Sequence, residues 1–201
     1  MKTLLIDCYR DNSFEKMKFY RQMCEKYSEI VEVKLAELPQ VNFNSIDAVV
    51  ISGSQWMLSE EDPPDEIIGF LRNFKIPTLG ICFGHQLIAR AFGAEIKKGT
   101  EFIDRDEEIL LVEDWQLFAG MGEWLTDSGK RMVLMRESHR EFVTPESVEK
   151  IGWRVGAISK SCPVEALCHP NLPLYGVQFH PERSGTNGAK LFQNFYYNIV
   201  Q

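Results

Sequence analysis

The chain has 201 residues, enough for one domain with a sizeable core. Its 44% hydrophobic and 25% charged residues exclude disordered and fibrous classes. With 22 Lys and Arg against 29 Asp and Glu, the formal charge of −7 argues against non-specific binding to a phosphate backbone, so nucleic acid is not an expected partner.

The chain opens with MKTLLIDCYRD, which reaches Asp7 too early for a secretory signal. Its longest apolar runs, IDAVVIS and IPTLGICFG, fall short of the roughly 18 residues that span a bilayer. A cytoplasmic protein without a membrane association is expected. Five cysteines, an odd number without the spacing of a disulfide framework, are expected to be reduced. No repeat, low-complexity tract or linker marks a boundary, so residues 1–201 read as a single domain.

TLLID (3–7) reads as a strand, followed by a helix whose Phe14, Met17, Tyr20, Cys24 and Tyr27 recur at helical spacing after Ser13 as N-cap. VEVKL (31–35) and the continuous apolar run IDAVVIS (46–52) are further strands. A Pro-started helix near 64–74 leads into IPTLGI (76–81). Uninterrupted apolar strands separated by helices predict a parallel sheet covered on both faces. After Ala94 the runs EEILLV (107–112), KRMVLM (130–135), WRVGAIS (153–159) and PVEALC (163–168) look antiparallel or mixed. YGVQF (175–179) is a last strand, and Leu191, Phe192, Phe195 and Ile199 mark a C-terminal helix. The fold class is α/β, a central sheet flanked by helices with additional antiparallel strands in the second half, and ligands are expected beyond the carboxyl ends of its parallel strands.

GICFGHQ (80–86) follows a strand and opens a helix carrying Leu87, Ile88 and Ala91, which puts Cys82 at a strand-to-helix turn. This is the geometry of a nucleophile elbow, in which Gly80 and Gly84 let strand and helix approach. The N-terminus of that helix favours an anion, here a thiolate, and its amides can receive an oxyanion. The strand YGVQF runs into His180, Pro181 and Glu182, where the carboxylate orients the imidazole from the same side of an extended segment. His85, His139 and His169 compete for the role of base. His85 is expected to point along its helix. Cys162, Cys168 and His169 lack the paired spacing of a zinc site and read as structural.

LGICFGHQLIARAFGA (79–94) and YGVQFHPE (175–182) resemble the class I, triad-type glutamine amidotransferases, and the likeness extends over almost the whole chain. LLIDCYRDNSF is similar to that family's first strand and turn, VVISGSQ (49–55) to its oxyanion loop, and RESHRE (136–141) to its Ser-His segment. The resemblance implies the family's flavodoxin-like fold, with Cys82 as nucleophile, His180 as base and acid, and Glu182 as orienter. It further implies an oxyanion hole of amides at Gly53 or Ser54 and Phe83, and L-glutamine held by Gln86, Ser138 and His139. No metal or organic cofactor is required, and the ammonia released calls for a separate synthase subunit. Two alternatives stand beside it: a stand-alone γ-glutamyl hydrolase or transferase with the same triad, and a non-catalytic subunit that senses glutamine. Ser54 and Gln55 replace a glycine and a proline found in many relatives, which predicts a loop whose competent conformation waits for a partner.

Overall fold

The computed structural model describes residues 1–122, 124–125 and 129–201. In chain order its elements are β1 (Lys2–Asp7), α1 (Ser13–Cys24), β2 (Glu29–Lys34), β3 (Ala48–Ile51), α2 (Asp65–Arg72), β4 (Thr78–Ile81) and α3 (Phe83–Ala91). The second half adds β5 (Ile96–Leu111), β6 (Trp124–Leu125), β7 (Arg131–Val143), α4 (Pro145–Lys150), β8 (Arg154–Ile158), β9 (Ala166–Cys168), β10 (Leu174–Val177) and α5 (Gly185–Asn194). A π-helical turn continues α5 over Phe195–Val200.

Among the described residues these strands form one sheet in the order β2-β1-β3-β4-β10-β9-β8-β5-β7-β6. The first five are mutually parallel, and every pairing from β10 to β6 is antiparallel. The parallel half has the 2-1-3-4-5 order of flavodoxin-like sheets. β1, β3, β4 and β10 are largely apolar because both faces are covered, whereas the edge strand β2 alternates apolar with charged residues and is nowhere fully buried. Leu5, Val50, Leu79 and Ile81 face Met17, Tyr20 and Cys24 of α1 and Leu191 and Phe192 of α5. Leu4, Ile6, Val49 and Ile51 face Ile67 and Leu71 of α2 and Phe83, Leu87 and Ile88 of α3. No helix among the described residues is long and apolar enough to cross a membrane.

Three local expectations are corrected. Ser13 is the first residue of α1, and the N-cap is Asn12, in the left-handed region at φ 50°, a conformation that asparagine, with its short polar side chain, visits more readily than other residues with a side chain. The runs at 107–112 and 130–135 are only parts of a long antiparallel pair, β5 with β7, which reaches from Ile96↔Val143 to Leu110↔Met132 and carries a register shift between Lys98 and Ile103. Pro181–Arg183 is a tight 3₁₀ turn, where an extended segment was expected.

Candidate active site

Three neighbouring parallel strands deliver the site. β3 ends in the loop that begins Ser52-Gly53-Ser54, β4 ends at Cys82, and β10 leads through Gln178 to His180. All three carboxyl ends open on the same edge, so residues far apart in sequence meet there. The Cys82 N–H donates to the Val177 carbonyl (2.8 Å), which joins the elbow to the strand that carries the histidine.

Cys82 sits at φ 52°, ψ −103°, strained for a residue with a side chain, and the turn persists because its surroundings leave no alternative. A Cβ on Gly84 would stand 2.4 Å from the Ile51 carbonyl oxygen, and one on Gly80 would stand 2.5 Å from the Gly84 carbonyl oxygen. Only glycine lets the first turn of α3 press this closely on β3 and β4. The Phe83 amide, at the first helical position, has no intrahelical acceptor.

His180 and Glu182 meet because the 3₁₀ turn folds the carboxylate back: Glu182 Oε1 lies 2.7 Å from His180 Nδ1. The Ser184 hydroxyl donates to the His180 carbonyl (2.7 Å) and accepts from the Arg136 N–H (2.9 Å), and the His180 N–H donates to the Arg136 carbonyl (2.8 Å). These bonds fasten the turn to β7. The other ring nitrogen, Nε2, lies 3.4 Å from the Ser138 carbonyl oxygen, which is also 3.8 Å from Cys82 Sγ. Burial by itself disfavours an imidazolium here. The Glu182 carboxylate and the Cys82 sulfur outweigh it and hold His180 well above its ordinary pKa.

Gln178 was not singled out from the sequence. Its Nε2 donates to Cys82 Sγ (3.6 Å), while its Oε1 accepts from Gln86 Nε2 (2.9 Å). Gln86 Nε2 also donates to the Glu141 carbonyl (2.9 Å), so both its N–H protons are engaged within the protein and only its oxygen remains for a ligand. His139 lies at the pocket wall with Nδ1 2.9 Å from the Glu141 carbonyl, which makes Nδ1 the protonated nitrogen, and with Nε2 3.2 Å from Glu137 Oε2. Ser138 brings its carbonyl to the Cys82–His180 pair.

Cys82, Phe83, Gln86, Ser138, His139 and His180 share one cavity of about 550 Å³, also lined by Ser54 and Gln55 of the loop. Gly53 stands just behind it: its N–H donates to the Tyr20 hydroxyl (3.0 Å), so in this conformation that amide is occupied. Glu141 carboxylate oxygens accept the N–H groups of Leu58 (2.8 Å) and Ser59 (2.9 Å) and hold the far end of the loop.

Of the competing histidines, His139 shares the cavity, and the other two lie elsewhere. His85 is fully buried against Gly176, and burial lowers its pKa to about 3. His169 accepts two backbone N–H groups through Nδ1 and packs edge-on against Phe92 and Trp153. All five cysteines are free. Burial raises Cys24 to about 12 and Cys168 to about 11, and raises Cys8 and Cys162 further, so these four are thiols at neutral pH. Among the described residues no group of His, Cys, Asp and Glu is arranged to hold a metal ion.

Residues 4–199 match the sequence model of the family described as glutamine amidotransferase class-I. The chain is 34% identical over 170 residues to the glutamine-hydrolyzing GMP synthase subunit of Archaeoglobus fulgidus, covering 82% of this chain and 84% of that one. It is 38% identical over 132 residues to the protein of the same name from Pyrococcus furiosus, covering 65% of this chain and 64% of that one's length. In fold it is similar to a putative GMP synthase subunit of Thermoplasma acidophilum (TM-score 0.79, 23% identity, 100% of this chain and 94% of that one). It is also similar to the glutaminase domain of Trypanosoma brucei CTPS with bound acivicin (TM-score 0.74, 18% identity, 97% and 92%).

Proposed function

This chain belongs to the class I glutamine amidotransferase family, and from that premise we propose that it hydrolyses the side-chain amide of L-glutamine with Cys82 as nucleophile, His180 as acid and base, and Glu182 as the group that orients His180. The Cys82 thiolate attacks the amide carbon, and the resulting oxyanion accepts hydrogen bonds from the Ser54 and Phe83 amides. Collapse of that intermediate breaks the C–N bond as His180 Nε2 gives its proton to the departing nitrogen, leaving ammonia and a γ-glutamyl thioester. Water then attacks the thioester with its proton passing to His180, a second oxyanion forms in the same place, and glutamate departs as the thiol regains its proton.

The observation that supports this reading most is the convergence of Cys82 Sγ and His180 Nε2 on the single Ser138 carbonyl, with Glu182 2.7 Å behind the imidazole. Gln178 adds an N–H donor to the sulfur and helps to hold it in place. Ammonia released into water is largely protonated at neutral pH and loses its nucleophilicity, so a separate synthase subunit is the proposed receiver. The names of the relatives point to the synthetic subunit of a GMP synthase as the first candidate.

The test is glutamate and ammonia release from glutamine by the purified chain and by Cys82→Ser. Equimolar products that vanish in the variant support the reading, and undiminished release in Cys82→Ser refutes it. A second reading, hydrolysis of a larger γ-glutamyl amide, draws on the exposed Arg140 and Arg183 at the cavity mouth. A γ-glutamyl dipeptide cleaved with higher kcat/KM than glutamine favours it.

A further inference from the structure

The loop that carries Gly53 and Ser54 is held by more groups than its sequence suggests. The Gly53 N–H donates to the buried Tyr20 hydroxyl (3.0 Å), which fixes the Ser52–Gly53 peptide. The next peptide is fixed from its other end, because the Gly53 carbonyl accepts the Ser52 hydroxyl (2.9 Å). In a trans peptide the carbonyl and the following N–H point in opposite directions, so a Gly53 carbonyl drawn back to Ser52 sends the Ser54 N–H the other way. Ser52 Oγ is itself held by the Cys8 N–H (3.0 Å). The Ser54 hydroxyl donates to the Cys8 carbonyl (2.8 Å) and accepts the Trp56 N–H (3.1 Å).

The space around this peptide is also filled. A Cβ on Gly53 would stand 3.0 Å from the hydroxyl oxygens of both Tyr9 and Tyr20 and 3.3 Å from His180 Cε1. Turning the Gly53–Ser54 peptide over would strip the carbonyl of its Ser52 donor. The residue that departs from the family pattern, Ser54, contributes two of the restraining bonds.

We infer that Tyr20, Ser52 and Ser54 lock the oxyanion loop with the Ser54 amide facing the sulfur, so that glutamine hydrolysis by this chain proceeds without a partner to turn the loop. The sequence alone suggested the opposite. Tyr20 and Ser52 are positioning residues: neither touches the substrate, and each acts through the peptide it holds. The inference rests on the glutaminase reading above, and its test separates the two.

Glutamate release and the rate of Cys82 alkylation by iodoacetamide are measured on the isolated chain and on Tyr20→Phe and Ser52→Ala. Alkylation displaces iodide at a saturated carbon and needs no oxyanion hole, so it reports the thiolate alone. For the unmodified chain a kcat of about 1 s⁻¹ or more is expected, within the ordinary range of enzymes. Each variant is expected to lose threefold or more in kcat while KM and the alkylation rate stay within twofold. A smaller loss of kcat in both variants overturns the lock. So does a loss accompanied by altered KM or alkylation, which marks general damage. A chain that alkylates normally at Cys82 yet turns over below that rate overturns the lock and leaves the triad standing. If Cys82→Ser keeps full glutamate release, the glutaminase reading itself falls.

Discussion

Replacing Gly84 by alanine tests whether the spacing between α3 and β3 sets the catalytic geometry. The added Cβ meets the Ile51 carbonyl oxygen at 2.4 Å, the Ile51 Cβ at 2.9 Å and the Ile51 carbonyl carbon at 3.0 Å. Relief to an ordinary contact of 3.4 Å requires a shift of about 1 Å, from 3.4 − 2.4. The obstacle is backbone, so the first turn of α3 must withdraw from β3 and stretch the Gly84 N–H bond to the Ser52 carbonyl, now 3.2 Å. That turn carries Cys82 and the Phe83 amide, whereas the loop after β3 carries the Ser54 amide, so the withdrawal opens the proposed oxyanion hole by a similar distance. Donors work at 2.7–3.1 Å from the oxyanion, and losing one costs roughly 10²–10³ in kcat. Overpacking costs a further 1–3 kcal/mol of stability, roughly 2–12 °C in Tm at this chain length. Gly69→Ala is the control. It lies in α2 with nothing within 4 Å of its Cβ and is expected to gain about 0.5–1 kcal/mol with unchanged activity. Steady-state glutamate release and thermal denaturation of the three proteins suffice. A Gly84→Ala protein that is destabilised yet keeps kcat within threefold refutes the reasoning.

Glu182→Gln is expected to keep measurable glutaminase activity while His180→Ala loses nearly all of it, because the carboxylate holds the imidazole and the imidazole moves the proton; equal losses with the fold intact contradict this. Iodoacetamide on the native chain is expected to modify Cys82 alone, because Cys82 lines the cavity while burial raises the pKa of the other four thiols, and peptide mapping that finds Cys162 or Cys168 modified at a comparable rate contradicts it. Burial raises the Glu137 carboxyl to about 8, so the folded chain keeps a proton that the unfolded chain releases near the ordinary glutamate value. Its contribution to stability is therefore full below about pH 4.5 and is lost as pH rises toward 8. Glu137→Gln should remove that decline, making the variant relatively more stable at pH 8 than at pH 5 in urea titrations. An unchanged pH dependence refutes it.

The parallel half of the fold is legible because β1, β3, β4 and β10 are covered on both faces and read as unbroken apolar runs. The β5–β7 pair is not, since most of β5 presents charged residues to solvent and buries only Ile96, Ile103 and a few residues beyond. Its stretch from 97 to 106 carries no alternation strong enough to mark a strand. Cys82, His180 and Glu182 are legible because glycine spacing and a His-Pro-Glu turn have few other uses together. What the sequence hides is second contacts. Tyr20 reads as one more apolar position of α1, yet its hydroxyl reaches the Gly53 amide, and Gln178 reads as one residue of a strand, yet its amide reaches the sulfur. Neither contact follows from spacing, because each joins elements that only the folded sheet brings together.

Attack of Cys82 on glutamine is open to an electrophilic glutamine analogue such as acivicin, with labelling mapped and activity followed in the same sample. One adduct per chain is expected, on Cys82, formed more slowly in the presence of glutamine, with glutamate release falling in proportion to the labelled fraction. An adduct elsewhere, or full glutamate release from chains labelled at Cys82, would contradict it.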